Sequence, residues 1–229
     1  MTRNALIVGA GDGLSASLAR LLAREGYALT LVARDIAKLD ALKAETGATL
    51  IRGDATDVAT INALVDGIDG RLDVAIYNPS ARVRGPLSEL DPEEVRKAVE
   101  VTAFGSFVMG QAAARRMLTQ DPQAGRRGTV LFTGASAGVK GFAKSAAFAM
   151  GKFAQRGLAQ SMSRELHPQG VHVAWVNIDG AIRNPGRNEQ SPDAMLSPDA
   201  IAKSYLALIE QDRSAWSDEL TLRPWVETF

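Results

Sequence analysis

Short apolar runs alternate along this chain with longer stretches in which apolar residues recur every three or four positions. Ala5-Leu6-Ile7-Val8 is the first run and reads as a buried strand. Leu14, Leu18, Leu21 and Leu22 then fall on one helical face. Ala28–Val32 is a second strand, after which Asp35 is expected to cap a helix through about Glu45. Leu50-Ile51 makes a short third strand, with a helix near Val58–Val65 behind it. Leu72–Tyr77 is the fourth strand and ends at Asn78-Pro79-Ser80; Pro92-Glu93-Glu94 then opens a long helix through roughly Met117. Thr129–Thr133, a helix rich in small residues over Ala146–Leu166, and Val171–Val176 come next. A helix at Pro198–Glu210 and a last short strand at Leu220-Thr221-Leu222 complete the pattern. Such alternation predicts an α/β fold: a doubly wound parallel sheet of about seven strands with helices on both faces.

Composition narrows this picture. The chain has 229 residues, 46% hydrophobic and 23% charged, enough for one domain with an ample core, and no linker or repeat divides 1–229. Formal net charge is +0 and no Lys/Arg run stands out, so a nucleic-acid partner is not expected. Without Cys there is no disulfide framework and no thiolate; His167 and His172 lack neighbours at a metal-ligand spacing. The apolar start is too short for a signal sequence and no apolar run is long enough to span a membrane, so the expectation is a cytoplasmic protein with no membrane partner. Residues 181–197 form one long polar segment beyond the sixth strand, read either as a lid over a substrate or as a disordered surface loop.

The first strand-to-helix turn carries candidate chemistry. Gly9, Gly11 and Gly13 lie between the strand and its helix. There a dinucleotide pyrophosphate can meet the free N–H groups and positive end of a helix, and a Cβ would block the approach. A turn that binds nothing is the bland alternative. By the fifth strand the chain resembles the short-chain dehydrogenase/reductase family over nearly all its length, which implies a Rossmann-type domain. The family's TGxxxGxG pattern is met by Val8–Ser15, with Gly9 and Gly13 kept and Ser15 in place of the last glycine. The resemblance implies cofactor contacts from Gly9, Gly11, Asp12, Gly13 and Leu14, from Asp54 at the adenine, and from Asn78 in the NNAG segment. It implies the same for Lys152, the Lys of YxxxK, at the nicotinamide ribose, and for Gly180 and Ile182 after the sixth strand. At the end of the second strand Ala33 replaces the acid of NAD-selective members, and Arg34 follows. Its guanidinium suits a 2′-phosphate, so NADP(H) is favoured over NAD(H); the alternative leaves Arg34 solvated and Asp35 on the ribose.

What is missing is the proton donor. The family's Tyr is Phe148 here, as in a divergent subgroup with Phe for Tyr; its Ser falls on Ala135, with Ser136 beside it, and its Asn falls on Thr102. Only Lys152 of the four remains. A phenyl ring donates no proton, so reduction of simple ketones by the family route should be badly impaired. Three readings stand. The first is an oxidoreductase for a small molecule needing little acid help, such as an iminium carbon, or one served by water on Lys152 or Ser136. The second is a silent NADP(H)-binding sensor or scaffold. The third is a serine hydrolase, because Gly134-Ala135-Ser136-Ala137-Gly138 spells G-x-S-x-G, although no His follows Asp179 in the order that chemistry needs. Small residues on the Ala146–Leu166 helix, and on the helix before it, predict a homodimer or homotetramer.

Overall fold

Alternate residues along each strand feed two separate cores, and this period-two division fixes the layers. The computed structural model describes residues 2–227. Its strands are β1 (Arg3–Val8), β2 (Tyr27–Ala33), β3 (Thr49–Arg52), β4 (Leu72–Tyr77), β5 (Gly128–Thr133), β6 (Val171–Ile178) and β7 (Glu219–Leu222). Among the described residues they form one seven-stranded sheet, every pair parallel, in the order β3-β2-β1-β4-β5-β6-β7. Ala5 and Ile7 of β1, Leu29 and Leu31 of β2 and Ala174 and Val176 of β6 point to one face. Leu6, Val8, Val32, Val173 and Trp175 point to the other.

The first face is covered by α1 (Leu14–Arg24), α2 (Asp40–Thr46) and α7 (Pro198–Glu210), the second by α3 (Val58–Asp66) and α5 (Gly105–Leu118) with α6 (Ala146–Leu166). Leu14, Leu18 and Leu22 carry the buried stripe of α1, as their spacing predicts; truncating Leu18 to Ala would cost about 2–5 kcal/mol. Among the described residues no helix is long and apolar enough to cross a membrane.

Two elements depart from the sequence reading. Asp35 does not cap a helix: it pairs with Lys38 at 3.2 Å, and α2 begins only at Asp40 after a short tight turn over Ala37–Leu39. The long helix expected from Pro92 to Met117 is instead α4 (Pro92–Val99), a wider π turn over Glu100–Phe104, and α5. The widened turn is also tied to the sheet, because the buried Tyr77 hydroxyl donates to the Val101 carbonyl at 2.5 Å.

Candidate active site

The sheet reverses its winding between β1 and β4, and the loops after these two strands meet there. Gly9 has φ +83°, and a Cβ on it would lie 2.6 Å from Pro79 Cγ, so glycine is required twice over. Gly11 differs: nothing of the chain lies within 4 Å of where its Cβ would be. That open space, next to a helix start at Leu14 with no side-chain cap and no acid in its first turn, fits a phosphate group of a dinucleotide. Ser15, expected only to be small, holds the loop: its hydroxyl donates to the Gly9 carbonyl at 2.9 Å and accepts from Asn78 Nδ2 at 2.6 Å.

Lys152, from the second turn of α6, is 2% exposed. Its ammonium donates to the Thr133 carbonyl at 2.5 Å and to Gln155 Oε1 at 3.2 Å, which leaves one N–H for a ligand. Desolvation, then the charge of Arg82, push its pKa down to about 7. The G-x-S-x-G motif has a packing explanation instead of a nucleophilic one. A Cβ on Gly134 would lie 2.3 Å from Trp175 Cε2 and one on Gly138 2.6 Å from Trp175 Cζ2. Both glycines make room for that indole. Ser136 opens a single tight turn over 136–138 and α6 starts only at Ala146, while His172 is stacked on Trp216 with its Nε2 at 2.8 Å from the Ser217 carbonyl. Neither His lines the cleft, so the hydrolase constellation is not assembled.

Phe148 and Ala135 lie together in that cleft, with Ser136 beside them and no tyrosine to replace the missing hydroxyl. Tyr77 and Tyr205 are fully buried; the Tyr205 hydroxyl lies 2.8 Å from Thr133 Oγ1, and burial raises the pKa of both phenols. Thr102 is buried as well and does not line the cleft. Its hydroxyl accepts from the Ala81 amide at 3.1 Å, and it leaves no room for a Cβ on Gly151 of α6. Thr102 therefore ties the loop after β4 to the π turn. Ser145, at the start of α6, makes no side-chain capping bond.

The cleft has a volume of about 1230 Å³ and is lined by Gly9, Gly11, Asp12, Gly13, Leu14, Asn78, Lys152, Gly180 and Ile182 of the expected cofactor set. Arg34 and Asp54 lie outside it, exposed beyond β2 and β3. Asp54 accepts from the Thr56 amide at 2.9 Å and hydroxyl at 2.8 Å; these bonds, and the charge of Arg34 after them, lower its pKa. Residues 181–197 are held together by a bridge between Ile182 and Leu196 and ion pairs from Arg183 to Glu189 and Asp193, and Ala181, Ile182, Asn184 and Arg187 line the cleft. Asn184 of this loop comes within 3.4 Å of a Cβ position at Gly13. Asn184, Arg82, Arg84 and Arg187 all reach the cleft and were not foreseen, because a polar loop residue carries no periodic signal. Among the described residues no group of His, Cys, Asp or Glu could hold a metal ion.

Residues 3–194 match the family model for short chain dehydrogenase. Sepiapterin reductase of Chlorobaculum tepidum is 28% identical over 96% of this chain and 95% of its own length. A short-chain dehydrogenase from Rhodopseudomonas palustris superposes with a TM-score of 0.83 at 34% identity, over 97% of this chain and 99% of that one. A metagenomic short-chain oxidoreductase, solved in complex with NADP, gives 0.84 at 27% identity over 98% of each chain. The parallel sheet, the glycine turn at its switch point and these likenesses lead to one conclusion: the chain belongs to the short-chain dehydrogenase family.

Proposed function

We propose that the protein is an NADP(H)-dependent oxidoreductase for a small molecule bound over Phe148. The observation that carries this reading is that the Gly9–Ser15 turn and the free N–H of Lys152 open into the same cleft as Phe148. The turn and the start of α1 would hold the pyrophosphate, Lys152 the nicotinamide ribose, and Gly180 and Ile182 the carboxamide side. When bound, the cofactor supplies or accepts the hydride. NADP is favoured by Arg34, by the absence of an acid at Ala33, and by the engagement of Asp35 with Lys38. The NADP complex of the metagenomic relative supports the same choice.

Residue 148 cannot move a proton, so the proton comes from elsewhere in the cleft. Lys152, with its pKa near neutrality, and the Ser136 hydroxyl are the groups that can relay one from water. A cofactor-binding protein without turnover is the second reading, and Phe148 is the observation in its favour. Residues 181–197 act as a lid in either case. The outer faces of α5 and α6 support a homo-oligomer. Phe107, Met150 and Phe153, with Phe104 of the π turn, are exposed there beside Gly157, whose Cβ position is open.

Calorimetric titration with NADPH and NADH tests the cofactor assignment. Hydrogen bonds from a guanidinium to the 2′-phosphate contribute about 1.5–3 kcal/mol, roughly ten- to a hundred-fold in affinity. Arg34→Ala should remove most of the NADPH preference and leave NADH binding nearly unchanged. Equal affinities in the unmodified protein would overturn it.

A further inference from the structure

One wall of the cleft is cationic beyond what a cofactor held at Gly9–Ser15 uses. Arg82 and Arg84, from the segment between β4 and α4, line it together with Arg187 from the loop beyond β6. The Arg82 guanidinium lies over the Phe148 ring, 4.1 Å from its centroid. Partial desolvation, then the charges of Arg84 and Arg187, hold its pKa below the usual value. Arg84 and Arg187 thus both stand close enough to Arg82 for their charges to act on it. Several arginines elsewhere are neutralised, Arg156 by Glu219, Arg183 by Glu189 and Asp193 and Arg96 by Glu93 and Glu100, while others are solvated or bonded to carbonyls. Among the described residues no carboxylate forms an ion pair with Arg82, Arg84 or Arg187, although Glu227 and Asp179 also line the cleft. Asp179 is paired with Arg223 at 3.1 Å.

An unpaired cluster of forked cations at a cleft is relieved by an anion that accepts two parallel hydrogen bonds. Arg82 marks its place at Phe148, whereas Arg187 comes from the loop that also packs on Gly13 of the glycine turn. Phe148 stands where the resemblance puts the residue that touches the substrate, and Arg82 rests on that ring. Resting on the oxidoreductase reading above, we propose that the substrate carries an anionic group, a carboxylate or a phosphate, gripped by Arg82 and Arg84 with Arg187 from the loop over the cleft. Phe148 then has a positive role as the aromatic platform that orients the guanidinium, a contact that needs the ring face and no hydroxyl. The same charge sets the cleft against an iminium substrate, which would add another cation beside Arg82.

Titration of the NADPH-saturated protein with malonate, inorganic phosphate and neutral malonamide tests this. At least one anion should bind one-to-one, and malonamide should not. The tighter anion distinguishes a carboxylate-bearing substrate from a phosphate-bearing one. Arg82→Gln and Arg84→Gln should each weaken that binding, roughly tenfold for Arg82→Gln, with NADPH affinity within about twofold of the unmodified protein. Three results would overturn the proposal: neither anion binds, both variants bind it as tightly as the parent, or the anion displaces NADPH and so occupies the cofactor's phosphate site. If NADPH itself does not bind, the oxidoreductase reading fails. The same titrations on the cofactor-free protein then decide the arginine cluster alone.

Discussion

Lys152→Met, studied in the cofactor-free protein, should show that the fold carries a buried amine at its own expense. Burial moves the Lys152 pKa from 10.5 to about 7, and the Arg82 charge adds to the shift. At about 1.36 kcal/mol per pKa unit, the full shift corresponds to roughly 4–5 kcal/mol as a ceiling. The sign follows from the protons bound. Between about pH 7 and 10.5 the unfolded chain keeps the Lys protonated and the folded one does not, so stability rises with pH across that window. Below about pH 7 the penalty is complete; above about 10.5 it vanishes. Met fills a similar volume but loses the bonds to the Thr133 carbonyl and Gln155, a loss that does not change with pH. Urea unfolding of parent and variant at several pH values separates the two contributions, because other titrating groups cancel in the difference. The parent should gain on the variant by roughly 2–3 kcal/mol between about pH 7 and 9.5. A difference that stays flat over this range would rule out a neutral buried Lys152. It would mean that the two acceptors keep Lys152 charged in the fold.

Phe148→Tyr combined with Ala135→Ser should raise NADPH-dependent carbonyl reduction by ~10²–10⁴-fold over a slow parent, measured by NADPH absorbance. The new phenol would lie near Arg82 and Lys152, which are 4.1 and 6.0 Å from the ring centroid, and both charges lower its pKa. Ala135→Ser alone should do far less. Fast reduction by the parent, or no gain in the double variant with NADPH bound, would count against this picture. Light scattering should give the mass of a dimer or tetramer, and Phe153→Glu, on the exposed face of α6, should shift it toward the monomer. A monomer mass for the parent at micromolar concentration would exclude the oligomer.

Much of the fold was legible because its signals are local. β4, α6 and α7 fall at the residues their patterns predict, and Asn78, Lys152 and the glycine turn line one cleft. What escaped is tertiary. The π turn keeps the apolar spacing of an ordinary helix, and the Tyr77 hydroxyl that bonds to it is distant in sequence. Gly134 and Gly138 look like a nucleophile motif until Trp175 of β6 is seen lying against both. Ser15 reads as a lost glycine, yet it bonds to Gly9 and Asn78 at once. Arg82 carries no periodic signal in the sequence; the charge of Arg187 reaches it only because two loops meet in the folded chain.

Turnover by this cleft is read most directly from hydride transfer itself. The protein would be incubated with NADPH deuterated at the transferred position and a panel of carbonyl compounds bearing carboxylate or phosphate groups. Mass spectrometry then reads the label in any alcohol formed. Deuterium is expected in at least one product, with loss of that product in Lys152→Met. Tight NADPH binding with no label in any acceptor would contradict turnover and leave a protein that holds its cofactor without using it.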